Sequence, residues 1–147
     1  MVELDETKKD AFSAFIITYS RLINRIAAEM EEKADISMEV YDVLVALEYQ
    51  ADHRLRLSEL AESVVLTRSG LTRRLDRLEK DGLIAREQCP DDRRGAFAVL
   101  TEKGQQTREA AWPIFAAAID KYFGAAMTEG EAKQLISVMS RVGTRVA

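Results

Sequence analysis

The stretch LTRSGLTRRLDRLEKDGLIAREQCPDDRRGAFAVLTEKG, residues 66–104, decides how the chain is read. Thr67 is placed to cap a helix that runs to about Lys80 and stops at Asp81-Gly82, where glycine accepts the left-handed turn that ends many helices. LIAREQ (83–88) and AFAVL (96–100) then read as two strands. The intervening CPDDRRG contains Pro and Gly, so the pair is expected to form a hairpin with a longish tip. Thr101 caps whatever helix follows.

Upstream, LRL (55–57) is a brief edge strand, and Ser58 is expected to cap a short helix, ELAESV. A helix-turn-helix followed at once by a two-stranded hairpin is a winged helix. Further out, Phe12, Phe15, Ile16, Tyr19, Leu22, Ile23 and Ile26 recur at helical spacing, which predicts one long helix over about 7–32. Ser37 caps a second helix to about Leu47, with Val40, Val43, Leu44 and Leu47 on one side. After Thr101 a long helix reaches about Phe123 and contains Pro113, where a lost donor predicts a kink. Thr128 with Glu131 forms a capping box for a last helix, whose stripe is Leu135, Ile136, Met139, Val142 and Val146. The expected fold is mainly α: a winged helix-turn-helix with a small β-hairpin wing over 37–100. Residues 1–36 and 101–147 add terminal helices that carry more apolar stripe than a lone winged helix buries.

Composition sets the bounds. The chain has 147 residues, 47% apolar and 31% charged, which suits one globular chain with a real core. The amino terminus lacks the basic and apolar regions of a secretory signal, and no apolar run is long enough to span a bilayer. Cys89 is the only cysteine, so no intrachain disulfide forms, and a cytoplasmic location is expected. Net charge is −4, yet the charge is uneven. From Arg54 to Arg94 there are ten Lys or Arg against eight Asp or Glu; the rest of the chain holds eleven against seventeen. Local fields, not the total, govern a docking surface.

On a wheel of about 100° per residue, Leu71, Leu75 and Leu78 form the buried stripe of the 67–80 helix. Ser69, Arg73, Asp76 and Lys80 lie opposite, flanked by Thr72 and Arg77. Arg74 falls near the core edge, where it is expected to snorkel or meet a carboxylate. Arg68, Ser69, Thr72, Arg73 and Arg77 are therefore the candidates to enter a DNA major groove about 12 Å wide, where arginine takes guanine in a bidentate contact. Gly70 allows close approach, either to the preceding helix or to a DNA backbone. At the wing, Asp92 and Arg94 share one side of the strand, so the carboxylate is able to aim the guanidinium at a narrow minor groove. Arg93 is assigned to phosphates, and Asp91 to the turn.

The stretch LRLSELAESVVLTRSGLTRRLDRLEKDGLIAREQCPDDRRGAFAVLTEKG resembles the DNA-binding core of the MarR family of bacterial transcription regulators. The close match covers about 50 residues, of which DDRRG followed by LTEKG is the most specific part, and the helix order extends it over nearly the whole chain. The resemblance implies a sequence-specific DNA-binding regulator, a ligand-responsive repressor that acts as a homodimer on a pseudo-palindromic site in double-stranded DNA. It implies that the terminal helices form the dimer, that the Asp92-x-Arg94 pair serves the wing, and that a small aromatic or anionic effector binds between the dimer region and the winged helix. Tyr19, Tyr41 and Trp112 are candidates to line that site, with core packing the ordinary role of each.

Other chemistry is expected to be absent. His53 is the only histidine and has no companion at metal-ligand spacing, so neither metal nor cofactor is expected. No Gly-rich phosphate loop and no nucleophile-and-base set is visible, which argues against an enzyme. Two alternatives remain at this level: a thiol-redox regulator using Cys89, which otherwise reads as a bystander at the wing base, or a dimeric interaction module that no longer binds DNA.

Overall fold

The computed structural model describes residues 4–64, 68–89 and 92–146, and at positions 68, 69 and 92–94 it describes the backbone alone. The elements run α1 (Glu6–Ala34), α2 (Met38–Glu48), β1 (Arg54–Arg56), α3 (Leu57–Ser63), α4 (Arg68–Lys80), β2 (Ile84–Cys89), β3 (Asp92–Leu100), α5 (Glu102–Tyr122), a 3-10 turn (Gly124–Ala126) and α6 (Glu129–Val146). The three strands make one antiparallel sheet in the order β1-β3-β2. Contacts divide the chain into two units: one takes α1 up to Ile26 and everything from Ala116 onward, the other runs Ala27–Phe115. The division falls inside α1 and α5.

Within the Ala27–Phe115 unit, helices and sheet close on one core of Met30, Leu44, Leu47, Leu60, Leu75, Leu78 and Ile84, each essentially without exposure. Ser37 caps α2 as its sequence requires, its hydroxyl accepting from Val40 N–H at 3.3 Å. On α2 the buried side is Tyr41, Val43, Leu44 and Leu47, so Tyr41 takes the inward place expected of Val40.

Three local expectations need correcting. The edge strand is Arg54–Arg56, one residue earlier than LRL, because Leu57 already opens α3. Ser58 is therefore inside the first turn and not its cap; Arg56 holds that position, and its backbone N–H donates to the Glu59 carboxylate at 3.1 Å. Strand β3 begins at Asp92, not near Ala96, because β2 and β3 continue to pair past a register shift at Gln88/Cys89, with Cys89 opposite Asp92. The proposed cap Thr67 and the turn residue Asp91 lie outside the described residues. Helix α5 continues through Pro113.

The end of α4 is fixed with unusual economy. Gly82 has φ +74°, Gly82 N–H donates to Glu79 C=O at 3.0 Å and Leu83 N–H to Leu78 C=O at 2.9 Å, which together form a Schellman stop. Thr101 Oγ lies 2.7 Å from the Gly82 carbonyl oxygen and 3.0 Å from that of Leu83, and accepts from Gly104 N–H at 3.0 Å. Lys103 Nζ donates to Asp81 C=O at 2.6 Å. One hydroxyl thus caps α5 and ties it to the turn after α4. Gly104 permits the approach: a Cβ there would stand 2.1 Å from the Leu83 carbonyl oxygen and 2.8 Å from Leu100 Cδ1. Backbone cannot give way as a side-chain tip does. Gly104→Ala is expected to lower stability by about 3 kcal/mol, at the upper end of overpacking costs, measured by urea unfolding; a loss below about 1 kcal/mol would show that α5 slides freely over the turn.

Candidate nucleic-acid interface

Helix α4 owes its placement to its apolar stripe. Leu71, Leu75 and Leu78 are buried, which leaves three other sides to be accounted for. Thr72 and Arg73 are exposed, as their wheel positions require, and Arg77 is 85% exposed, with Nε 3.8 Å from Asp81 Oδ2. Arg74 is half-buried at the core edge. Arg68 and Ser69 occupy the first turn of α4, and Asp92, Arg93 and Arg94 begin β3; their side chains lie outside the described residues. The pairing foreseen between Asp92 and Arg94 therefore lies outside the described side chains.

One flank of α4 lines an open groove of about 680 Å³. Arg73, Arg74 and Arg77 meet there the end of α1 and the start of α2, with Glu31, Asp35 and Ser37 opposite and Thr107 of α5 at the edge. Asp35 turns the chain with φ +52°, a conformation that Asp tolerates better than most residues. The other flank faces the wing sheet. There Arg86 of β2 pairs with Asp76 at 2.7 Å and with Glu79 at 3.6 Å, and its Nη2 lies 3.5 Å from the Thr72 carbonyl oxygen. A second recess of about 450 Å³ runs along that flank, lined by Leu57, Ala61, Thr72, Leu75, Arg86 and Ala96. The outer face of the sheet carries Phe97, with the guanidinium of Arg54 4.7 Å and that of Arg56 5.4 Å from its ring centre. Sequence reading overlooked Arg86 entirely. Its signal was a charged residue two positions from Ile84, on the strand face that alternation turns inward.

The aromatic candidates are divided between the two units. Tyr41 and Trp112 both contact Phe115, at 4.9 and 6.2 Å between ring centres. Tyr41 is 2% exposed, whereas Trp112 is half-exposed. Burial pushes the Tyr41 phenol above its ordinary value, against the lowering effect of Arg108, which hydrogen-bonds it. Arg108 in turn pairs with Glu48, and its Nε is buried with no acceptor among the described residues. Tyr19 belongs to the other unit, exposed and stacked on Phe15 at 6.2 Å. Cys89 is buried at 3% exposure. His53 is a turn residue, with φ +50° and a carbonyl that accepts from Leu100 N–H at 2.8 Å. No helix among the described residues is long and apolar enough to cross a membrane.

Comparison with known proteins agrees with this geometry. The model of the MarR family matches residues 36–95. A helix-turn-helix-type transcriptional regulator of Bacillus cereus is 33% identical over 127 residues, which cover 86% of this chain and 83% of that one. Among solved structures, AbsC of Streptomyces coelicolor superposes with a TM-score of 0.86 at 26% identity, over 99% of this chain and 98% of that one. Sco3205, a MarR family regulator of the same organism solved in complex with DNA, gives a TM-score of 0.88 at 28% identity, over 100% of this chain and 92% of that one. A winged helix whose α4 exposes Thr72 and Arg73 beside a hairpin, in a chain with these relatives, is no enzyme: the protein belongs to the MarR family of DNA-binding transcriptional regulators.

Proposed function

We propose that the protein acts as a homodimer that represses transcription from a pseudo-palindromic DNA site and responds to a small aromatic or anionic effector. The observation that carries the DNA-reading part is the exposure of Thr72 and Arg73 on α4 beside a wing strand that begins at Asp92. In this reading Arg73 takes a base edge, Thr72, Ser69, Arg68 and Arg77 serve edges or phosphates around it, and Arg94, aimed by Asp92, enters the minor groove while Arg93 holds phosphates.

The dimer reading rests on the unit formed by residues up to Ile26 and from Ala116 onward. Only Ile26 and Ala118 are buried among its described residues. Phe12, Phe15, Ile16 and Tyr19 on α1, and Ile136, Met139, Val142 and Val146 on α6, leave helical stripes exposed. Stripes of that size call for a partner surface, and a second copy supplies both. Two-fold symmetry then sets half-sites about one helical turn, roughly 34–36 Å, apart. An effector seated in the groove meets Arg73, Arg74 and Arg77 together with Glu31, Asp35 and Asp81, so guanidinium and carboxylate groups both line it. The burial of Cys89 favours this over a thiol switch, since oxidants reach exposed thiolates first.

Selection from a random duplex pool tests the reading. The wild-type chain is expected to enrich one two-fold motif, and sedimentation to show twice the mass of the 16.5 kDa chain. Arg73→Ala should relax choice at one base pair per half-site by about 1–3 kcal/mol. Arg93→Ala should weaken all duplexes alike and lower the salt slope by about one. Failure to enrich any motif would favour the interaction module, and a stable monomer would remove the palindrome.

A further inference from the structure

Arg86 stands where a strand ordinarily places an apolar side chain. It shares the inward face of β2 with the fully buried Ile84. Its side chain is 28% exposed, and its Nε is buried with no acceptor among the described residues. Burying a guanidinium costs more than burying a leucine, and an apolar residue here would cover the same flank of α4 without that cost. Packing therefore does not explain the arginine. What it adds is direction. Its two terminal nitrogens reach Asp76 and Glu79, 2.7 and 3.6 Å away, and one also lies near the Thr72 carbonyl. Positions 72, 76 and 79 succeed one another along a single side of the helix, so one planar fork spans two turns of α4 from the wing strand.

Asp76 and Glu79 are the only carboxylates within α4, and both are exposed. Left to themselves, they would stand beside Thr72 and Arg73 at the surface that meets phosphates. Held by Arg86, their charge is offset and turned toward the sheet.

We propose that Arg86 is a positioning residue for DNA recognition: it bolts the carboxylate flank of α4 to the wing, so that helix and wing reach the major and minor grooves as one unit. This rests on the DNA-contacting roles proposed above for α4 and the wing. Arg86 itself touches no base.

The test uses the full chain, the duplex it enriches from a random pool, and a scrambled duplex of equal length. Arg86→Ala, Arg86→Lys and the double variant Asp76→Asn/Glu79→Gln are compared by titration, by hydroxyl-radical footprinting of the minor groove and by thermal melting. All three are expected to lose about tenfold in affinity for the enriched duplex, the size of one coupled interaction, with little change on the scrambled one. Minor-groove protection at the wing should fade while guanine N7 protection under α4 persists. Arg86→Lys should restore the melting temperature but not the wing footprint, because an ammonium cannot fork across two carboxylates. A merely structural role predicts the reverse, with footprints intact once the melting temperature is restored. The double variant carries two fewer negative charges, so simple electrostatics predicts tighter binding. It also alters only exposed side chains, and keeps the test decisive if Arg86→Ala fails to fold. Tighter binding by the double variant to both duplexes, or an unchanged wing footprint in Arg86→Lys, overturns the proposal. If the wild-type chain enriches no duplex, the DNA-contacting roles themselves fall, and the bolt falls with them.

Discussion

The winged-helix unit depends on one close approach, that of Gly104 to the Leu83 carbonyl. At this point three elements meet. Helix α4 has just ended in its Schellman turn, β2 is about to begin, and the first turn of α5 passes beneath both. The Thr101 hydroxyl lies against the Gly82 and Leu83 carbonyls while it caps α5 through Gly104 N–H. The Leu83 carbonyl also accepts from Thr101 N–H at 3.2 Å, so residue 101 brings a backbone donor and a hydroxyl donor to two carbonyls that would be costly to leave unpaired. A residue with a Cβ at 104 would force the helix away from the Leu83 carbonyl and strain the bonds made there. The requirement is steric and local, yet it sets where the recognition helix ends and where the wing starts.

With its end fixed, α4 has its four sides assigned by different physics. The leucine stripe faces the core by area burial. The flank of Thr72, Asp76 and Glu79 faces the wing by charge pairing to Arg86. The flank of Arg74 and Arg77 lines the groove beside α1 and α2, and Arg73, the next residue round toward solvent, contributes to that lining as well. What remains outward is a ridge that includes Arg73. A helix that presents side chains to a groove only about 12 Å wide tolerates little rotation about its axis, since a turn of one residue moves the outward position by about 100°. Charge pairing to the wing strand resists that rotation better than burial alone, because hydrophobic contact is non-directional.

Much of this was legible in the sequence, for reasons that can be named. Ser37, Thr101 and the Thr128–Glu131 box each satisfy helix N–H groups within three residues, so their signal is local; Thr128 N–H donates to the Glu131 carboxylate at 2.8 Å. Gly82 announces its turn by needing a positive φ. Leu71, Leu75 and Leu78 announce the buried side by spacing. The misreadings share the opposite character. Ser58 looked like a cap because hydroxyls often are, but the sheet pairing of Arg56 with Phe97 is followed directly by a helix that starts at Leu57, two residues earlier than expected. The extent of β3 depends on a bulge opposite Gln88, which no alternation pattern contains. Arg86 escaped notice because its partners lie seven and ten residues away on another element. The wing residues Asp92 and Arg94 were chosen from strand alternation together with family resemblance, and their side chains lie outside the described residues.

The remaining puzzle is how a chain of net charge −4 approaches a polyanion at all. Total charge acts at long range and is screened beyond about 8 Å at physiological salt, whereas docking is decided within that distance. Inside it, several carboxylates of the DNA-facing segment are already engaged: Asp76 and Glu79 with Arg86, Asp81 with Arg77, and Glu87 with Arg54. Exposed pairs of this kind contribute little to folding. Their consequence lies elsewhere, in keeping repulsive charges off the ridge that carries Arg73. The acidic excess sits in the rest of the chain, where it opposes indiscriminate adhesion to DNA. Affinity then cannot come from a broad basic surface. It must come from a few well-aimed cations, and that demands the orientation the clamp at Gly104 and the bolt at Arg86 provide.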